Sequence, residues 1–550
     1  MWSWLLRNAN IIDGTGRPPF LGDLAVEGDR IAAMAPRLDA GAAQTVDLRG
    51  RFLAPGFIDI HSHADFISTL DSAEQGRLQR GKIFQGITTE IVGNCGLGAA
   101  PLDGQDLVPK IMAWMCPAAT HWTWKSTPEY LDAIETQGVL LNTGLLQPHG
   151  PLRLEARGLQ AGESTGEERA RMKWRLAEAL EAGAFGLSSG LIYPPGMYTS
   201  SQELIDLAAE AGRRDRIFTS HIRGSSELLL EATRELLEIG REAAVHVHHS
   251  HNEAVGRQHW SKIDQVLDLE TAAAGRGQAV TFDMFPYTAA ATTMLAIYPP
   301  WALEGGVARL LERLKNPTER RRIQRDISES RPHWPPWDEN GWPHNLVAAV
   351  GWEQIAVGRV ASAANKHLEG ASLRDLGEKT ARSPFDAISD LMIEEDGVVS
   401  QLIFEVSGDE NNDGHLVDLM RHPLSAICTD ANDYGHGLPH PAAYGAFTRI
   451  LATYARDRGV LALEEAIRKM TSYPAEIFKL DRRGRIAEGS FADLVIFDLP
   501  GLAERASYKN PRETSQGIQT VFINGVPVLR DGKYDPQLVG CVLRWGGSSH

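Results

Sequence analysis

The stretch IFTSHIRGSSELLLEATRELLEIGREAAVHVHHSH, residues 217–251, contains a strand, a helix and a second strand in direct succession. The short apolar run at 217–221 predicts the first strand. Residues 226–243 predict the helix, because apolar side chains recur at every third or fourth position. Residues 245–251 predict the second strand. Two strands joined by one crossover helix lie parallel in the same sheet, so this stretch indicates an α/β fold.

The same alternation continues on both sides of this stretch. Residues 184–191 (AFGLSSGL) predict a preceding strand, and Ser201 to Ala211 predict a helix with Ser200 or Ser201 as its cap. VTFDMFP (280–286) predicts a following strand. Over about 430 residues, this repeat fits a (β/α)₈ TIM-like barrel better than an open sheet.

The two ends of the chain have a different texture, with short apolar runs separated by turns. Residues 4–50 contain the turn signals Asp13-Gly14 and Gly28-Asp29, and the C-terminal part contains Asn524-Gly525. Neither end has enough strands to form a stable domain alone. We therefore expect one small β domain built from residues 1–54 plus 484–550, and a barrel over residues 55–483.

A segment at about 291–350 interrupts the barrel pattern. It is rich in proline and contains four tryptophans, Trp301, Trp334, Trp337 and Trp342. A long surface excursion and an ordered, lid-like insertion are both compatible with this composition. The tryptophans argue against disorder and favour the lid, since loops of this length are usually functional or disordered.

Composition excludes several classes of function. The chain has 55 Lys and Arg residues and 71 Asp and Glu residues, which gives a net charge of −16. An acidic surface repels phosphate backbones, so we expect no nucleic-acid partner. The short apolar run at the N-terminus is not followed by a small-residue cleavage site, and the longest weakly polar stretch is about half the length of a spanning helix, so we expect neither a targeting segment nor a membrane span. The four cysteines include no CxxC pair, which favours free thiols in a reducing compartment and a cytoplasmic protein.

Chemically competent side chains follow the predicted strands one after another. In APGFIDIHSHAD (54–65) the imidazoles of His61 and His63 are two residues apart, so on a strand they face the same way. Each such residue taken alone is compatible with an ordinary polar residue at a barrel rim. Together they form a specific pattern of metal ligands and a carboxylate at successive strand ends: His61, His63, Cys95, His221, His251 and Asp430.

This order resembles the amidohydrolase superfamily, and more narrowly the N-acyl-D-amino-acid deacylases. The matching stretches include PGFIDIHSHAD (55–65), GITTEIVGNCGLG (86–98), SHIRGSSE (220–227) and SHNEAVGRQHW (250–260). The resemblance implies a (β/α)₈ metal-dependent hydrolase barrel. It also implies a small β-sandwich built from both termini and a lid-like insertion after the seventh strand.

The resemblance also implies a set of metal ligands. No lysine lies where many amidohydrolases carry one between two metals, and the cysteine of the GNCG motif, Cys95, serves instead. A thiolate favours zinc over magnesium or calcium. One tightly bound zinc ion would be held by Cys95, His221 and His251 with a fourth position open. His61 and His63, sharing Cys95, would form a second, weaker site.

Two further assignments rest on the same resemblance. Asp430 matches the catalytic aspartate at the eighth strand, which would take a proton from the attacking water and pass it to the leaving amine. His249 competes with His251 because both share one face of a regular strand. The SHxxxxG register of the family favours His251, and His249 would then lie one layer deeper in the barrel.

The residues expected to bind substrate depart from the family pattern. Glu253 stands in place of a lysine that grips the substrate carboxylate, and Ala291 and Ala442 replace a serine and an arginine. We therefore expect simple N-acetyl-D-amino acids to be poor substrates, and neutral, amidated, cyclic or cationic ones to be preferred. In the alternative interpretation Glu253 points away and Arg223 grips the carboxylate. The expected substrate-binding residues are Tyr193, Glu253, Tyr287 and Arg223.

The sequence thus predicts a zinc-dependent amidohydrolase that cleaves a C–N amide bond of an N-acyl-D-amino acid or a related small molecule. Ring opening of a cyclic amide or imide uses the same water chemistry and stays open as an alternative. A metal-free scaffold with this fold is a third interpretation. The sequence speaks against it, because all the ligand positions carry side chains that can bind a metal. The sequence leaves the oligomeric state open, a homo-oligomer included.

Overall fold

A computed structural model describes residues 1–102, 104, 106–329, 331–334 and 342–547, so Trp337 lies outside the described residues. The strands are β1 (Trp2–Ile11), β2 (Phe20–Glu27), β3 (Arg30–Ala35), β4 (Ala42–Asp47), β5 (Phe52–Pro55), β6 (Phe57–Asp59), β7 (Ile87–Val92), β8 (Asn142–Pro148), β9 (Gly186–Gly190), β10 (Ile217–His221), β11 (His246–His249), β12 (Val280–Met284), β13 (Ala289–Thr293), β14 (Ile355–Arg359), β15 (Ser400–Phe404), β16 (Ser425–Ile427), β17 (Leu494–Phe497), β18 (Ile518–Ile523), β19 (Val526–Arg530), β20 (Lys533–Tyr534) and β21 (Val542–Leu543).

The α-helices connect and cover these strands. They are α1 (Ser72–Leu78), α2 (Arg80–Ile83), α3 (Leu107–Met112), α4 (Thr127–Gln137), α5 (His149–Arg157), α6 (Gly166–Glu181), α7 (Ser201–Gly212), α8 (Leu229–Ala243), α9 (Lys262–Gly275), α10 (Pro300–Leu303), α11 (Val307–Lys315), α12 (Pro317–Glu329), α13 (Leu346–Val350), α14 (Leu373–Thr380), α15 (Pro384–Glu394), α16 (Gly414–Arg421), α17 (Ala442–Arg449), α18 (Leu463–Met470) and α19 (Ser472–Ile477).

Eight parallel strands form a nearly closed barrel in the order β6, β7, β8, β9, β10, β11, β12 and β16. The predicted α/β barrel is therefore confirmed. The strand predicted at 217–221 has the same bounds in the structure. The helix predicted from Ser201 begins there and is capped by Ser200, whose hydroxyl accepts a hydrogen bond from the backbone N–H of Glu203. The strands are buried on both faces, as expected of a parallel sheet under helices.

An insertion lies between the seventh barrel strand, β12, and the eighth, β16. It contains α10 to α15 and a three-stranded antiparallel sheet in the order β13, β15, β14. These elements extend from Ala289 to Phe404, well beyond the predicted end at about 350. The later helices α14 and α15 are amphipathic and well capped, like ordinary barrel helices. Their sequence therefore shows no sign that they belong to the insertion.

Strands from both termini form one nine-stranded sheet, in the order β20, β19, β18, β17, β5, β1, β2, β3, with β4 paired to β1. The N- and C-terminal parts meet where β17 pairs antiparallel with β5. The sheet encloses its own apolar core, which includes Trp4, Leu24 and Phe522. Strand β21 lies in the range assigned to the small β domain, but it does not join this sheet. It pairs instead with the barrel strand β8.

A buried ionic network holds the first barrel strand in place. The Nζ atom of Lys82 donates to Asp59, Ser62 and Glu90 at 3.0, 2.7 and 2.8 Å. Asp59 also accepts from the hydroxyl and the backbone N–H of Thr429, at 2.6 and 3.0 Å. Because a buried charge requires partners, this network ties β6, β7 and the loop after β16 to one another.

The cysteines and the length of the apolar helices were both the subject of predictions from the sequence. All four cysteines lie in the described residues, and none forms a disulfide. Among the described helices, none has both the length and the apolarity that crossing a membrane requires.

Candidate metal centre

The predicted ligands lie at the carboxyl ends of the barrel strands. His61 and His63 follow β6, Cys95 follows β7, and His221 is the last residue of β10. His251 follows β11 and Asp430 follows β16. All six side chains are buried or nearly so. In barrel enzymes this end carries the active site, because loops from several strands converge there.

Three of these residues have a left-handed backbone. The φ angles of Cys95, His251 and Asp430 are 53°, 36° and 45°. Residues other than glycine adopt this conformation at a cost of order 1–3 kcal/mol, and such strain clusters at functional sites. Here it turns the chain sharply at the strand ends, so that side chains following three different strands face one point.

Two groups of potential ligand atoms meet at that point. The ligand atoms of Cys95, His221 and His251 all lie within 4.8 Å of one another, and so do those of His61, His63 and Cys95. The Sγ atom of Cys95 is 3.1 Å from Nε2 of His61 and 3.5 Å from Nε2 of His251. Cys95 therefore belongs to both groups, and the structure brings together all five residues that the sequence proposes as ligands.

The protonation of these groups suits a cation. Burial lowers the pKa of His251 to about 4 and, together with the neighbouring His251, lowers the pKa of His221 well below its usual range. Both imidazoles are therefore neutral at pH 7, which is the form that binds a metal. Burial raises the pKa of the Cys95 thiol to about 11 despite the opposing effect of His61. A nearby cation favours the thiolate instead.

Asp283 lies behind His61 and was not predicted. Its Oδ2 atom is 3.1 Å from Nδ1 of His61 and 2.8 Å from Nε2 of His248. Its Oδ1 atom accepts from the backbone N–H of His251 at 2.6 Å. Burial works to lower the pKa of His61, but the charge of Asp283 and those of its other negative neighbours, Asp430 among them, together outweigh burial and raise that pKa well above its ordinary value. An aspartate inside the apolar strand VTFDM was the available signal, since buried charges need a function or a partner.

Asp430 is placed over the first two histidines. Its Oδ1 atom lies 3.3 Å from Nε2 of His61 and 3.4 Å from Nε2 of His63. Burial works to raise the pKa of Asp430, but the neighbouring histidines, His61 foremost, lower it below its usual range. The group is therefore a carboxylate at neutral pH and can accept a proton.

The prediction that His249 lies one layer below His251 inside the barrel is wrong. Nδ1 of His249 lies 2.7 Å from Oε1 of Glu270, on the covering helix α9, and not one layer deeper in the barrel. It is His248 that contacts Asp283 inside the barrel. The reason is that β11 ends at His249 and the left-handed conformation of His251 breaks the alternation of a regular strand.

The two groups of ligand atoms open into a cavity of about 1030 Å³, its open mouth included. Tyr193 lines it, and the hydroxyl groups of Tyr193 and Thr292 are 2.7 Å apart. Burial raises the pKa of Tyr193 well above its usual range, so its hydroxyl keeps its proton. Of the four predicted substrate-binding residues, Tyr193 and Glu253 line this cavity.

Glu253 contributes a buried carboxyl group beside the ligands. Its side chain is about 10% exposed, and Oε1 lies 3.8 Å from Nδ1 of His251. Its Oε2 atom has no hydrogen-bond partner among the described residues. Burial, and then the charge of Asp430, raise the pKa of Glu253 well above its ordinary value. The interpretation in which Glu253 points away from the site does not fit this placement.

Tyr287 and Arg223 do not line the cavity. The hydroxyl of Tyr287 donates to Oε1 of Glu504 at 2.5 Å. The guanidinium of Arg223 is almost fully buried, and Nε and Nη2 donate to Glu235 at 2.9 and 2.8 Å. Both groups are engaged within the protein, so Arg223 is not placed to grip a substrate carboxylate.

His344 and Arg359 are polar residues of the cavity wall that come from the insertion, and sequence reasoning missed both. Nδ1 of His344 accepts a hydrogen bond from the backbone N–H of Ser225 at 3.3 Å, so the opposite edge of the ring is left for the cavity. Arg359, at the end of β14, also lines the cavity. Neither lies in a motif, because their position depends on how the insertion packs over the barrel.

The donor set fits a thiophilic metal ion. One sulfur and several imidazole nitrogens converge, and buried Nδ1 atoms of His63 and His221 have no hydrogen-bond partner in the described part of the chain. Zinc is bound by this combination of Cys and His ligands, whereas magnesium and calcium prefer oxygen.

Comparison with known proteins agrees with this geometry. The profile of the amidohydrolase family matches residues 44–318 and 414–529. The chain is 30% identical to a D-aminoacylase of Alcaligenes xylosoxydans xylosoxydans over 98% of this chain and 97% of that protein. It is 32% identical to an N-acyl-D-glutamate deacylase of the same organism, over 94% and 92% of the two chains.

A solved structure adds a metal to the comparison. The crystal structure of N-acyl-D-glutamate deacylase from Bordetella bronchiseptica, complexed with zinc and a phosphonate that mimics the tetrahedral intermediate, superposes with a TM-score of 0.81. The two chains are 29% identical, and 99% of each is covered. The sequence match, the barrel and the converging ligands lead to one conclusion: the chain belongs to the amidohydrolase family.

Proposed function

We propose that this protein is a zinc-dependent amidohydrolase that hydrolyses the amide C–N bond of an N-acyl-D-amino acid or a related small N-acyl compound. The observation that carries the proposal is the convergence of Cys95, His221 and His251 within 4.8 Å, beside the carboxylate of Asp430. The activities named for the relatives, D-aminoacylase and N-acyl-D-glutamate deacylase, support the reaction class.

In this proposal Cys95, His221 and His251 hold the tightly bound zinc ion. His61 and His63, with Cys95 shared, hold a weaker second ion. Zinc supplies a water of lowered pKa and polarises the amide carbonyl when it is bound. The Cys95 thiol keeps its proton in the absence of metal and would lose it when zinc binds. Metal binding therefore depends on pH.

Asp430 moves the proton. Its carboxylate form accepts a proton from the attacking water and then donates it to the amine nitrogen that leaves. Without that transfer an amine anion would have to depart, which is strongly unfavourable. Tyr193 keeps its hydroxyl proton and donates it as a hydrogen bond to the bound substrate from the cavity wall.

Several broader expectations belong to the same proposal. Residues 1–54 plus 484–550 form the small β domain, and 55–483 form the catalytic barrel with its insertion. The free cysteines favour a reducing compartment such as the cytoplasm. The partner is a small-molecule amide and not a nucleic acid.

The test is a substrate panel assayed on protein of known metal content. N-acyl-D-amino acids, their L-enantiomers, their amides and cyclic imides are each incubated with protein as purified, stripped by a chelator, and reloaded with zinc. We expect activity on at least one acyclic N-acyl-D compound, lost on stripping and restored by zinc. Activity confined to cyclic imides, or activity that survives stripping, would contradict the proposal.

The Asp430→Asn variant tests the mechanism on the same substrate. General acid–base catalysis contributes about 10²- to 10⁴-fold to a rate, so kcat should fall by that factor with the zinc content unchanged. Asp418→Asn, on the exposed face of α16, is the matched control. An unchanged kcat in Asp430→Asn would remove this residue from the mechanism.

A further inference from the structure

Arg359 lies in the cavity wall at an irregular strand end. Strand β14 pairs with β15, with Val357 opposite Gln401 and Arg359 opposite Ser400, so Gly358 is an extra residue in the ladder. A bulge of this kind re-aims the side chain next to it and is common beside active sites. Both Arg359 and Ser400 line the cavity.

The guanidinium is held rigidly but is not neutralised. Its Nη1 atom donates to the backbone oxygens of Ala113 and Trp114 at 2.9 and 2.7 Å. Its Nε atom is buried and has no hydrogen-bond partner among the described residues. No acidic side chain in the described part of the chain forms an ion pair with it. Burial lowers the pKa of Arg359 to about 10, so the group is still a cation at neutral pH.

The Arg359 guanidinium contacts the backbone of Ala113 and Trp114, whereas the carboxyl group of Glu253 lies beside His251. The carboxylates of Glu369 and Glu395 act on the charge of Arg359 from a distance, but neither forms an ion pair with it. The charged groups that act on Glu253 are a different set: Asp430, His61 and Asp283. The cavity therefore has two unlike regions. The region beside the ligands presents the carboxyl group of Glu253, and the region at the end of β14 presents the Arg359 cation, which has no ion-pair partner among the described residues.

A partly buried cation that lacks an ion-pair partner in the wall of a cavity is costly unless an anion binds there. A guanidinium with its orientation fixed by two carbonyl groups is suited to a carboxylate. We propose that Arg359 binds a substrate carboxylate that lies at a distance from the scissile amide. The hydroxyl of Ser400 is a second hydrogen-bond donor to this carboxylate. The proposal rests on the proposed amide hydrolysis and names its substrate class: N-acyl compounds with a remote carboxylate.

The remote carboxylate has two possible sources, the acyl arm and the amine arm. The experiment therefore uses matched pairs of substrates, each acid beside its carboxamide, with the group placed on one arm or the other. The zinc-loaded wild type should favour the acid of one pair about 10- to 100-fold in kcat/KM, the value of one charged hydrogen-bonding contact. The arm that shows the preference gives the orientation of the substrate.

The Arg359→Gln variant should lose this preference mainly through a higher KM for the acid, so that its kcat/KM for the acid falls toward that for the carboxamide. Arg359→Lys should restore part of it, because the charge returns without the planar fork. Arg374→Gln is the matched control, since Arg374 lies in the same insertion, is exposed and pairs with Glu353. A loss in Arg359→Gln that is equal for acid and carboxamide, or no loss, would overturn the proposal.

A binding measurement separates this proposal from the proposed function. Calorimetry with glutarate on zinc-loaded protein should show affinity at least about tenfold weaker in Arg359→Gln than in the wild type, at equal zinc content. If the wild type hydrolyses no member of the panel and this difference holds, the proposed hydrolysis fails and the anion site stands. Equal glutarate affinity in the two proteins would refute the anion site even if the amide is hydrolysed.

Discussion

The Nδ1 atom of His61 lies 3.1 Å from Oδ2 of Asp283, and both side chains are buried. A carboxylate in this position holds the proton on Nδ1 and directs Nε2 toward Cys95, 3.1 Å away, so Nε2 is the atom that would bind a metal. Asp283 also accepts from the backbone N–H of His251. One carboxylate thus orients residues of both ligand groups without being a predicted ligand itself.

Replacing Asp283 by asparagine should therefore weaken metal binding. Loss of an outer partner of a metal ligand costs about 10- to 100-fold in affinity, because the imidazole loses its fixed orientation. Zinc affinity is measured by competition with a chromogenic chelator. Asp268→Asn, on the exposed face of α9, should bind zinc like the wild type. Equal affinity in Asp283→Asn and wild type would show that Asp283 does not orient the ligands.

Cys95 is the residue that the two groups of ligand atoms share. The Cys95→Ala variant should fold and yet retain less than one tenth of the zinc bound by wild type after dialysis against a chelator, since removing one ligand costs several kcal/mol (roughly 10²-fold or more). Metal content is measured by mass spectrometry of the dialysed protein. Cys541→Ala, in the C-terminal segment, is the control and should keep its zinc. Full zinc retention in Cys95→Ala would exclude the thiolate as a ligand.

The ligand positions were predictable because they depend on strand ends. In a closed parallel barrel every strand delivers its last residues to one rim, so chain order alone places Cys95 and His221 close together. The roles suggested for Tyr287 and Arg223 depended instead on partners that no pattern reveals. Tyr287 is engaged by Glu504, which is 217 residues away.

The insertion was the least predictable part. His344 and Arg359 reach the cavity only because the segment after β12 packs back over the barrel, and no periodicity encodes that packing. The left-handed turn at His251 had the same effect at short range, because it brings His251 to the ligand group although His249, two residues earlier, faces the covering helix. Local sequence patterns predict helices and strands, whereas these contacts depend on how the helices and strands pack together.

Glu253 should exclude a carboxylate next to the scissile amide. In neither protonation state does it supply the positive charge that such a group requires, and Asp430 adds negative charge nearby. Glu253→Lys should raise kcat/KM for N-acetyl-D-amino acids about 10-fold or more and lower it for the native substrate. The measurement is steady-state kinetics on both substrates at equal zinc content.

Glu253→Gln is the control for this exchange, because it removes the carboxyl group without adding a cation. It should gain less on N-acetyl-D-amino acids than the lysine variant does. If activity of Glu253→Lys on these compounds stays negligible while its native activity is untouched, Glu253 does not select the substrate.

Glu203 gives a prediction about stability that is independent of the metal. Its carboxylate is fully buried, lies 2.9 Å from Nε2 of His149 and pairs with Arg153. Burial alone would raise the pKa of Glu203, but its hydrogen bond and charge interactions with His149, together with Arg153, outweigh burial and lower it to about 2. Because the folded pKa lies below the ordinary value of 4.5, this group stabilises the fold above about pH 4.5, and the contribution is lost as the pH falls toward 2.

The Glu203→Gln variant lacks this titration. Its free energy of unfolding should lie below that of wild type near neutral pH, and the difference should shrink by up to about 3 kcal/mol between about pH 5 and pH 2. Urea denaturation across that range gives the two curves. Glu238→Gln, on the exposed face of α8, should track the wild type at every pH. A gap between Glu203→Gln and wild type that stays constant with pH would mean that the two proteins bind protons alike in this range, and that the buried pair does not titrate with folding.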